Sequence, residues 1–154
     1  MSCQNNQAPN PTAIIIYTLY NLNKDNFDID KTIGVIVPYR NQIATIKQTL
    51  QAKYPELRFD NITIDTVERL QGSQRDYIIY GFTIQEPSQL KFLTENTFIE
   101  DGYLIDRKLN VAMTRAKKQL IFVGNSDLLS MNSLYSILIN YLKEKNSYFH
   151  YTDL

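Results

Sequence analysis

Cysteine and histidine are almost absent from this 154-residue sequence, which has one of each. A single cysteine, Cys3, excludes an internal disulfide framework and fits a reducing, intracellular setting, cytoplasmic or nuclear. With His150 as the only imidazole, we expect no zinc site built from protein ligands. No run approaches the roughly twenty apolar residues that cross a membrane, and no secretory signal is visible, so we expect no membrane association.

An excess of charge of either sign is also absent, because 16 basic residues balance 16 acidic ones. Nucleic-acid binding would therefore depend on local basic patches rather than on a globally basic surface. Hydrophobic residues make up 44% of the chain and charged ones 21%, as in folded globular proteins. We expect a disordered leader over residues 1–9, one domain over 10–146 and a tail over 147–154.

Short apolar runs alternate with segments of helical period, which is typical of βαβ units around a parallel sheet. We predict strands over residues 33–37, 62–67, 77–82 and 119–123. The fold class is therefore α/β, a three-layer domain with a mainly parallel central sheet flanked by helices.

Helices are predicted between these strands. The first starts at Asn10-Pro11, an N-cap followed by proline. The second places Ile43, Ile46 and Leu50 on one face. A short helix capped by Ser126 precedes a last helix whose buried face we predict from five apolar positions, Leu134, Ile137, Leu138, Tyr141 and Leu142. Residues 85–105 read as either a long loop or an insertion with a short helix.

The segment 106–118 carries five basic residues and no acid after Asp106, which is placed to cap a helix. Wound as a helix, the segment has an apolar face and a polar one. The apolar face holds Leu109, Ala112, Met113 and Ala116, and the polar face holds Arg107, Asn110, Thr114, Arg115 and Lys118. A solvated basic face is one interpretation. A site that faces an anion is the other, and the apolar strand that follows favours it.

Two further segments, 37–42 and 66–76, combine polar side chains with a strand exit. Ligands gather at the carboxyl ends of parallel strands, so we predict all three segments at that edge of the sheet. Around Gly72, exposed backbone N–H groups and amide side chains suit a phosphate or a ribose. The alternatives are an ordinary helix start for the first segment and a plain turn for the second.

In this order the segments resemble motifs IV, V and VI of superfamily 1 helicases. The matching runs are IGVIVPYRNQ at 33–42, TVERLQG at 66–72 and RKLNVAMTRAK at 107–117. The similarity is to the branch that includes the nonsense-mediated-decay helicase and the Okazaki-fragment helicase-nuclease. It covers roughly residues 10–130 and implies the C-terminal RecA-like domain of a two-domain, ATP-driven motor.

The resemblance implies a role for each matching residue. Arg115 would be the arginine finger that stabilises charge on the γ-phosphate. The nucleotide would also be contacted by Gly72, Gln74, Arg107 and Arg40. Family members usually carry glutamate at the position of Gln74, whose amide keeps an acceptor for a ribose hydroxyl. The nucleic-acid track would include Thr66, Pro38 and Tyr39.

The phosphate-cradling motif G-x-x-x-x-G-K-[ST] does not occur in this sequence. ATP and Mg²⁺ would therefore be held mainly by an N-terminal RecA-like domain, which is an expected partner together with single-stranded DNA or RNA. We expect the isolated chain to hydrolyse no ATP. The alternative functions are a stand-alone nucleic-acid- or nucleotide-binding module without catalysis, and a purely structural interaction domain.

Overall fold

The computed structural model describes residues 10–57, 62–70 and 72–153. Six strands form in this part of the chain: β1 (Ile33–Ile36), β2 (Thr63–Asp65), β3 (Arg75–Gly81), β4 (Thr97–Glu100), β5 (Tyr103–Asp106) and β6 (Ala116–Val123). The helices are α1 (Pro11–Leu22), α2 (Arg40–Lys53), α3 (Pro87–Thr94), α4 (Arg107–Met113), α5 (Ser126–Leu129) and α6 (Ser133–Glu144). Single 3₁₀ turns lie at Lys24–Asn26 and Tyr151–Asp153.

The central sheet is parallel throughout, with the strand order β2-β1-β3-β6. On one side, α1 and α2 cover a core that includes Ile16, Val35, Ile46 and Ile79. On the other side, a second core of buried residues joins the sheet to α3, α4, α5 and α6. The predicted three-layer α/β fold with a mainly parallel sheet is confirmed.

The first helix begins where its capping signal predicts. The Asn10 side chain accepts a hydrogen bond from the Thr12 amide at 3.0 Å, and Pro11 occupies the first helical position. The four predicted strands of the sheet are likewise confirmed, with ends that differ from the predicted bounds by at most three residues.

The predicted cap of the short helix α5 is wrong by one residue. Asn125 is the N-cap, and its side-chain oxygen accepts from the amides of Asp127 and Leu128 at 3.0 and 3.2 Å. The Ser126 hydroxyl is instead hydrogen-bonded to the Tyr148 hydroxyl at 2.9 Å. Ser126 therefore joins the helix to the chain after α6 rather than capping it.

The predicted buried face of α6 is rotated relative to the observed one. Ile137 and Tyr141 are 68% and 54% exposed, whereas Tyr135 and Ile139 are buried. Apolar residues cover most of this helix, so their spacing alone did not define one face. The buried hydrogen bond made by the Tyr135 hydroxyl, which reaches Asp106, matches the observed rotation.

The region 85–105 is an insertion with a short helix, as one of the two interpretations predicted, but it also contains an unpredicted hairpin. Strands β4 and β5 pair antiparallel, with Phe98 opposite Ile105 and Ile99 opposite Leu104. The two turn residues, Asp101 and Gly102, have φ of 51° and 82°, as a type I′ turn requires. Asp-Gly is the strongest short-range hairpin signal, so the sequence did contain the evidence for this element.

Among the helices in the described ranges, none is long and apolar enough to cross a membrane.

Candidate nucleotide and nucleic-acid site

Arg115 lies in a turn and not on a helix as predicted. Helix α4 ends at Met113, and the Thr114 hydroxyl donates to the Val111 carbonyl at 2.8 Å. Ala116 then pairs with Arg75 as the first residue of β6. The local sequence contains no helix breaker, so it is the non-local pairing with β3 that ends the helix. Arg115 consequently sits at the entrance of a strand.

Three of the predicted nucleotide-contacting residues, Gly72, Gln74 and Arg115, precede β3 or β6. They therefore lie at the amino edge of the sheet. The Gln74 Nε2 donates to the Thr114 carbonyl at 3.5 Å, and the Arg75 amide donates to the Arg115 carbonyl at 2.9 Å. These two contacts join the motif V segment directly to the end of motif VI.

The guanidinium of Arg115 is only partly satisfied by the protein. Its Nε is buried and has no hydrogen-bond partner, and none of the ion pairs between described residues involves it. A buried N–H without an acceptor is costly, and a guanidinium suits oxyanions because its donors form a planar fork. The Arg115 side chain thus retains a hydrogen-bond donor that the described residues do not use.

Gly72 contributes to the amino edge of the sheet through its backbone conformation. Its φ is +84°, and an added Cβ would meet no atom within 4 Å. Because the space around it is open, the requirement for glycine comes from the left-handed backbone and not from crowding. The turn it forms keeps Gln74 exposed beside Thr114.

Pro38, Tyr39 and Arg40 lie at the opposite, carboxyl edge of the sheet, after β1. The Tyr39 hydroxyl donates to the Gln89 carbonyl at 3.3 Å. Burial, followed by the negative charge of Glu95, raises the pKa of this hydroxyl above its ordinary value. Arg40 is exposed as the first residue of α2.

The prediction that all three motif segments share the carboxyl edge is therefore wrong. Strand β3 extends from Arg75 to Gly81, which corresponds to roughly 20 Å between the two edges. The residues assigned to the nucleotide are divided between these edges, with Arg40 separated from Gln74 and Arg115. The connection from β2 to β3 crosses from one edge to the other, which is why a single motif contributes to both.

Thr66 follows β2 at the carboxyl edge and is 8% exposed. The pKa of the neighbouring Glu68 carboxyl is held below its usual value by the Glu68 backbone N–H, the Thr66 hydroxyl and the Lys108 ammonium. Lys108 lies in the first turn of α4, with its Nζ 3.5 Å from Glu68 Oε1. Motifs V and VI are thus also connected at this second point, through side chains.

Gln42, on the first turn of α2, is a polar residue to which the motif comparison gave no role. Its Nε2 donates to the Thr83 carbonyl at 3.2 Å, while its Oε1 is buried without a partner. Thr83 has a φ of 48°, which is unusual for a β-branched residue. Gln42 therefore joins the first turn of α2 to the segment that follows β3 at the carboxyl edge.

Arg107 opens helix α4 and is exposed, with its Cζ 4.6 Å from the centre of the Phe98 ring. Its backbone amide donates to the Asn96 carbonyl at 3.4 Å. Asp106 caps this helix as predicted, because its Oδ1 accepts from the amides of Lys108 and Leu109. Neither Phe98 nor the hairpin that carries it was among the predicted site residues.

In the described part of the chain, no three His, Cys, Asp or Glu side chains come together in a way that could hold a metal ion. The acidic run formed by Asp25, Asp28 and Asp30 lies in the connection between α1 and β1. There Asp28 pairs with Lys31 at 3.0 Å and accepts from the Asp30 amide at 2.9 Å.

Comparison with known proteins places this geometry in context. A family model described as AAA domain matches residues 2–127. The chain is 37% identical over 117 residues to regulator of nonsense transcripts 1 of Dictyostelium discoideum, which covers 74% of this chain and 8% of that protein. It is 34% identical over 122 residues to putative helicase mov-10-B.2 of Danio rerio, covering 77% and 12%.

A third relative is the DNA polymerase alpha-associated DNA helicase A of Saccharomyces cerevisiae, 36% identical over 118 residues, with 76% of this chain and 15% of that protein covered. The chain therefore spans between 8% and 15% of the length of these three curated relatives. The similarity concerns one domain of proteins that are several times longer.

Proposed function

Because the chain belongs to the AAA domain family and is the C-terminal RecA-like domain of a superfamily 1 helicase, we propose that it is half of an ATP-driven motor. In this proposal it provides the arginine finger and part of the single-strand track, while ATP and Mg²⁺ are held mainly by an N-terminal RecA-like domain. The strand is DNA or RNA, since the relatives named above include both a DNA helicase and a regulator of transcripts.

The observation that carries the proposal is the state of Arg115. Its Nε is buried without a partner beside the exposed amide of Gln74 at one edge of the sheet. A bound nucleotide would supply phosphate oxygens whose negative charge increases during hydrolysis. A guanidinium held at the entrance of β6 can donate to those oxygens without losing an existing ion pair.

The other nucleotide contacts are proposed from the positions of four further residues. The Gln74 amide donates to Thr114, which leaves its side-chain oxygen available to accept from a ribose hydroxyl. Gly72 provides the turn that presents this amide. Arg107 and Arg40 are exposed at other points of the surface and add positive charge for phosphate groups.

The single-strand track is assigned to the carboxyl edge, at Pro38, Tyr39 and Thr66. Tyr39 combines a partly buried ring with a hydroxyl tied to Gln89, a stable surface on which a base can stack. Thr66 is largely buried and engaged with Glu68, so it would contribute mainly by fixing the loop beside the strand.

The alternative of a stand-alone binding module without catalysis has less support, because the three relatives cited are not described as binding modules and two are named helicases. A purely structural domain would satisfy all motif residues internally. The Arg115 Nε has no hydrogen-bond partner, Gln74 is exposed although it donates to Thr114, and Arg40 is exposed.

The test is ATP turnover in two preparations. The isolated chain should release no phosphate above background, because a phosphate loop is absent from its sequence. A protein in which this domain is joined to the phosphate-loop domain of its own reading frame should show turnover that single strands stimulate. Robust turnover by the isolated chain, or none by a joined protein that binds ATP, would contradict the proposal.

A further inference from the structure

The β4–β5 hairpin places one aromatic ring beside motif VI. The Asp101-Gly102 turn fixes the register in which Phe98 faces Ile105 and Thr97 faces Asp106. Because Arg107 follows Asp106 directly, the same register places its side chain next to the Phe98 ring. The Cζ of Arg107 lies 4.6 Å from the ring centre.

A cation–π contact depends on the charge of the guanidinium and requires none of its N–H donors. The five N–H donors of an arginine lie in the plane of the group, so stacking on a ring does not consume them. Arg107 takes part in none of the ion pairs between described residues. The exposed side chain is therefore in contact with Phe98, and no described acidic side chain pairs with its guanidinium.

Helix stability does not account for an arginine at this position. A cation in the first turn opposes the helix dipole, and Asp106 already caps α4 through its Oδ1. An unoriented arginine would also lose considerable side-chain entropy when it binds an anion. A ring that limits its motion beforehand reduces that loss.

We propose that Phe98 is a positioning residue that limits the motion of the Arg107 guanidinium, so that its donors can meet phosphate oxygens. This inference rests on the proposed function, in which Arg107 contacts phosphate, and it adds the hairpin as the element that orders that contact. Two ligands could supply these phosphate oxygens: the polyphosphate of a nucleotide and the backbone of a single strand.

The experiment uses the 154-residue chain with two probes, inorganic tripolyphosphate and a short oligothymidylate. Phe98→Leu removes the ring but keeps an apolar side chain, Phe98→Tyr keeps the ring, and Arg107→Gln removes the charge. Ile99→Ala is the matched control, because Ile99 is the next residue of β4 and is 74% exposed. NMR shifts of the Arg107 side chain report the stacking independently of any ligand.

In the wild type and Phe98→Tyr, ring currents should shift the Arg107 side-chain protons upfield, and Phe98→Leu should abolish the shift. Phe98→Leu should weaken binding of at least one probe by roughly two- to five-fold, the range expected for an exposed cation–π contact. Phe98→Tyr and Ile99→Ala should bind like the wild type, and Arg107→Gln should lose at least as much as Phe98→Leu.

A loss confined to tripolyphosphate identifies the nucleotide as the phosphate source, and a loss confined to the oligonucleotide identifies the strand. Unchanged affinity of Phe98→Leu for both probes, or a wild-type chain that binds neither, would overturn the role of Phe98. The proposed motor function would then still be judged separately, by ATP turnover of the joined protein.

Discussion

The Tyr135 hydroxyl donates a hydrogen bond to Asp106 Oδ2 at 2.7 Å inside the protein. Asp106 is 4% exposed, and its other oxygen caps helix α4. Tyr135 belongs to α6, which follows the last residue matched by the family model, residue 127. One buried carboxylate therefore ties the C-terminal helix to the start of the helix that leads to Arg115.

Removing this hydroxyl should destabilise the protein. Tyr135→Phe keeps the ring but leaves a buried carboxylate oxygen without its donor, and we expect a loss of about 1.5–3 kcal/mol in the free energy of unfolding. Urea titration measures this loss. The matched control is Tyr141→Phe on the same helix, where the side chain is 54% exposed and the change should be within about 0.5 kcal/mol. Equal stability of the two variants would contradict the assigned role of the hydroxyl.

Alkaline pH should destabilise the fold through two buried tyrosines. Burial raises the pKa of Tyr135 and Tyr80 well above the ordinary value of a phenol, and the Asp106 carboxylate raises both further. Above a pH of about 10 the unfolded chain loses these protons while the folded chain keeps them, so stability falls as pH rises.

The slope of this decline should be about 1.4 kcal/mol per pH unit for each such tyrosine. Stability curves between neutral pH and the alkaline limit measure it. Tyr80→Phe should flatten the curve, whereas the exposed Tyr103→Phe should not. A decline of the same slope in Tyr80→Phe would show that this tyrosine does not control the alkaline transition.

Single-strand binding by the isolated chain should be weak and sensitive to salt. The net charge is zero, so phosphate contacts come from local cations. Each contact makes the slope of the logarithm of the binding constant against the logarithm of the salt concentration more negative by about 0.7. Fluorescence titration of a labelled oligonucleotide at two salt concentrations tests this prediction. Thr66→Val should weaken binding at both concentrations without changing the slope, because it removes no charge.

The exposed Thr45→Val on α2 is the matched control for that variant and should bind like the wild type. Tight association that does not change with salt would contradict a track built on phosphate contacts.

Local signals in the sequence were sufficient for the starts of α1 and α4, although a signal of the same kind placed the α5 cap one residue too late. Asn10-Pro11 defines the start of α1, and the apolar run of β1 predicts a buried strand because it is short, rich in β-branched residues and followed by Pro38. Asp106 was identified as a cap for the same reason, since capping involves only the next three residues.

Two of the errors occurred where a distant partner decides the outcome. The helical pattern of residues 106–118 continues past Met113, and only the pairing of β6 with β3 moves Arg115 into a turn. The rotation of α6 corresponds to the contact between Tyr135 and Asp106, which are 29 residues apart. Phe98 was missed for a different reason. The Asp101-Gly102 signal for its hairpin was present in the sequence, but the hairpin was not predicted from it.

The central claim is that Arg115 donates to the phosphate oxygens of ATP in the complete motor. The most direct measurement is strand-stimulated ATP turnover of the joined two-domain protein carrying Arg115→Lys, with melting temperature recorded alongside and the exposed Lys47→Ala on α2 as control. A lysine keeps the charge but not the planar fork, and arginine fingers are worth roughly 10³–10⁵ in rate. We predict that Arg115→Lys loses most of its turnover at an unchanged melting temperature while Lys47→Ala keeps it; near-normal turnover of Arg115→Lys would contradict the account.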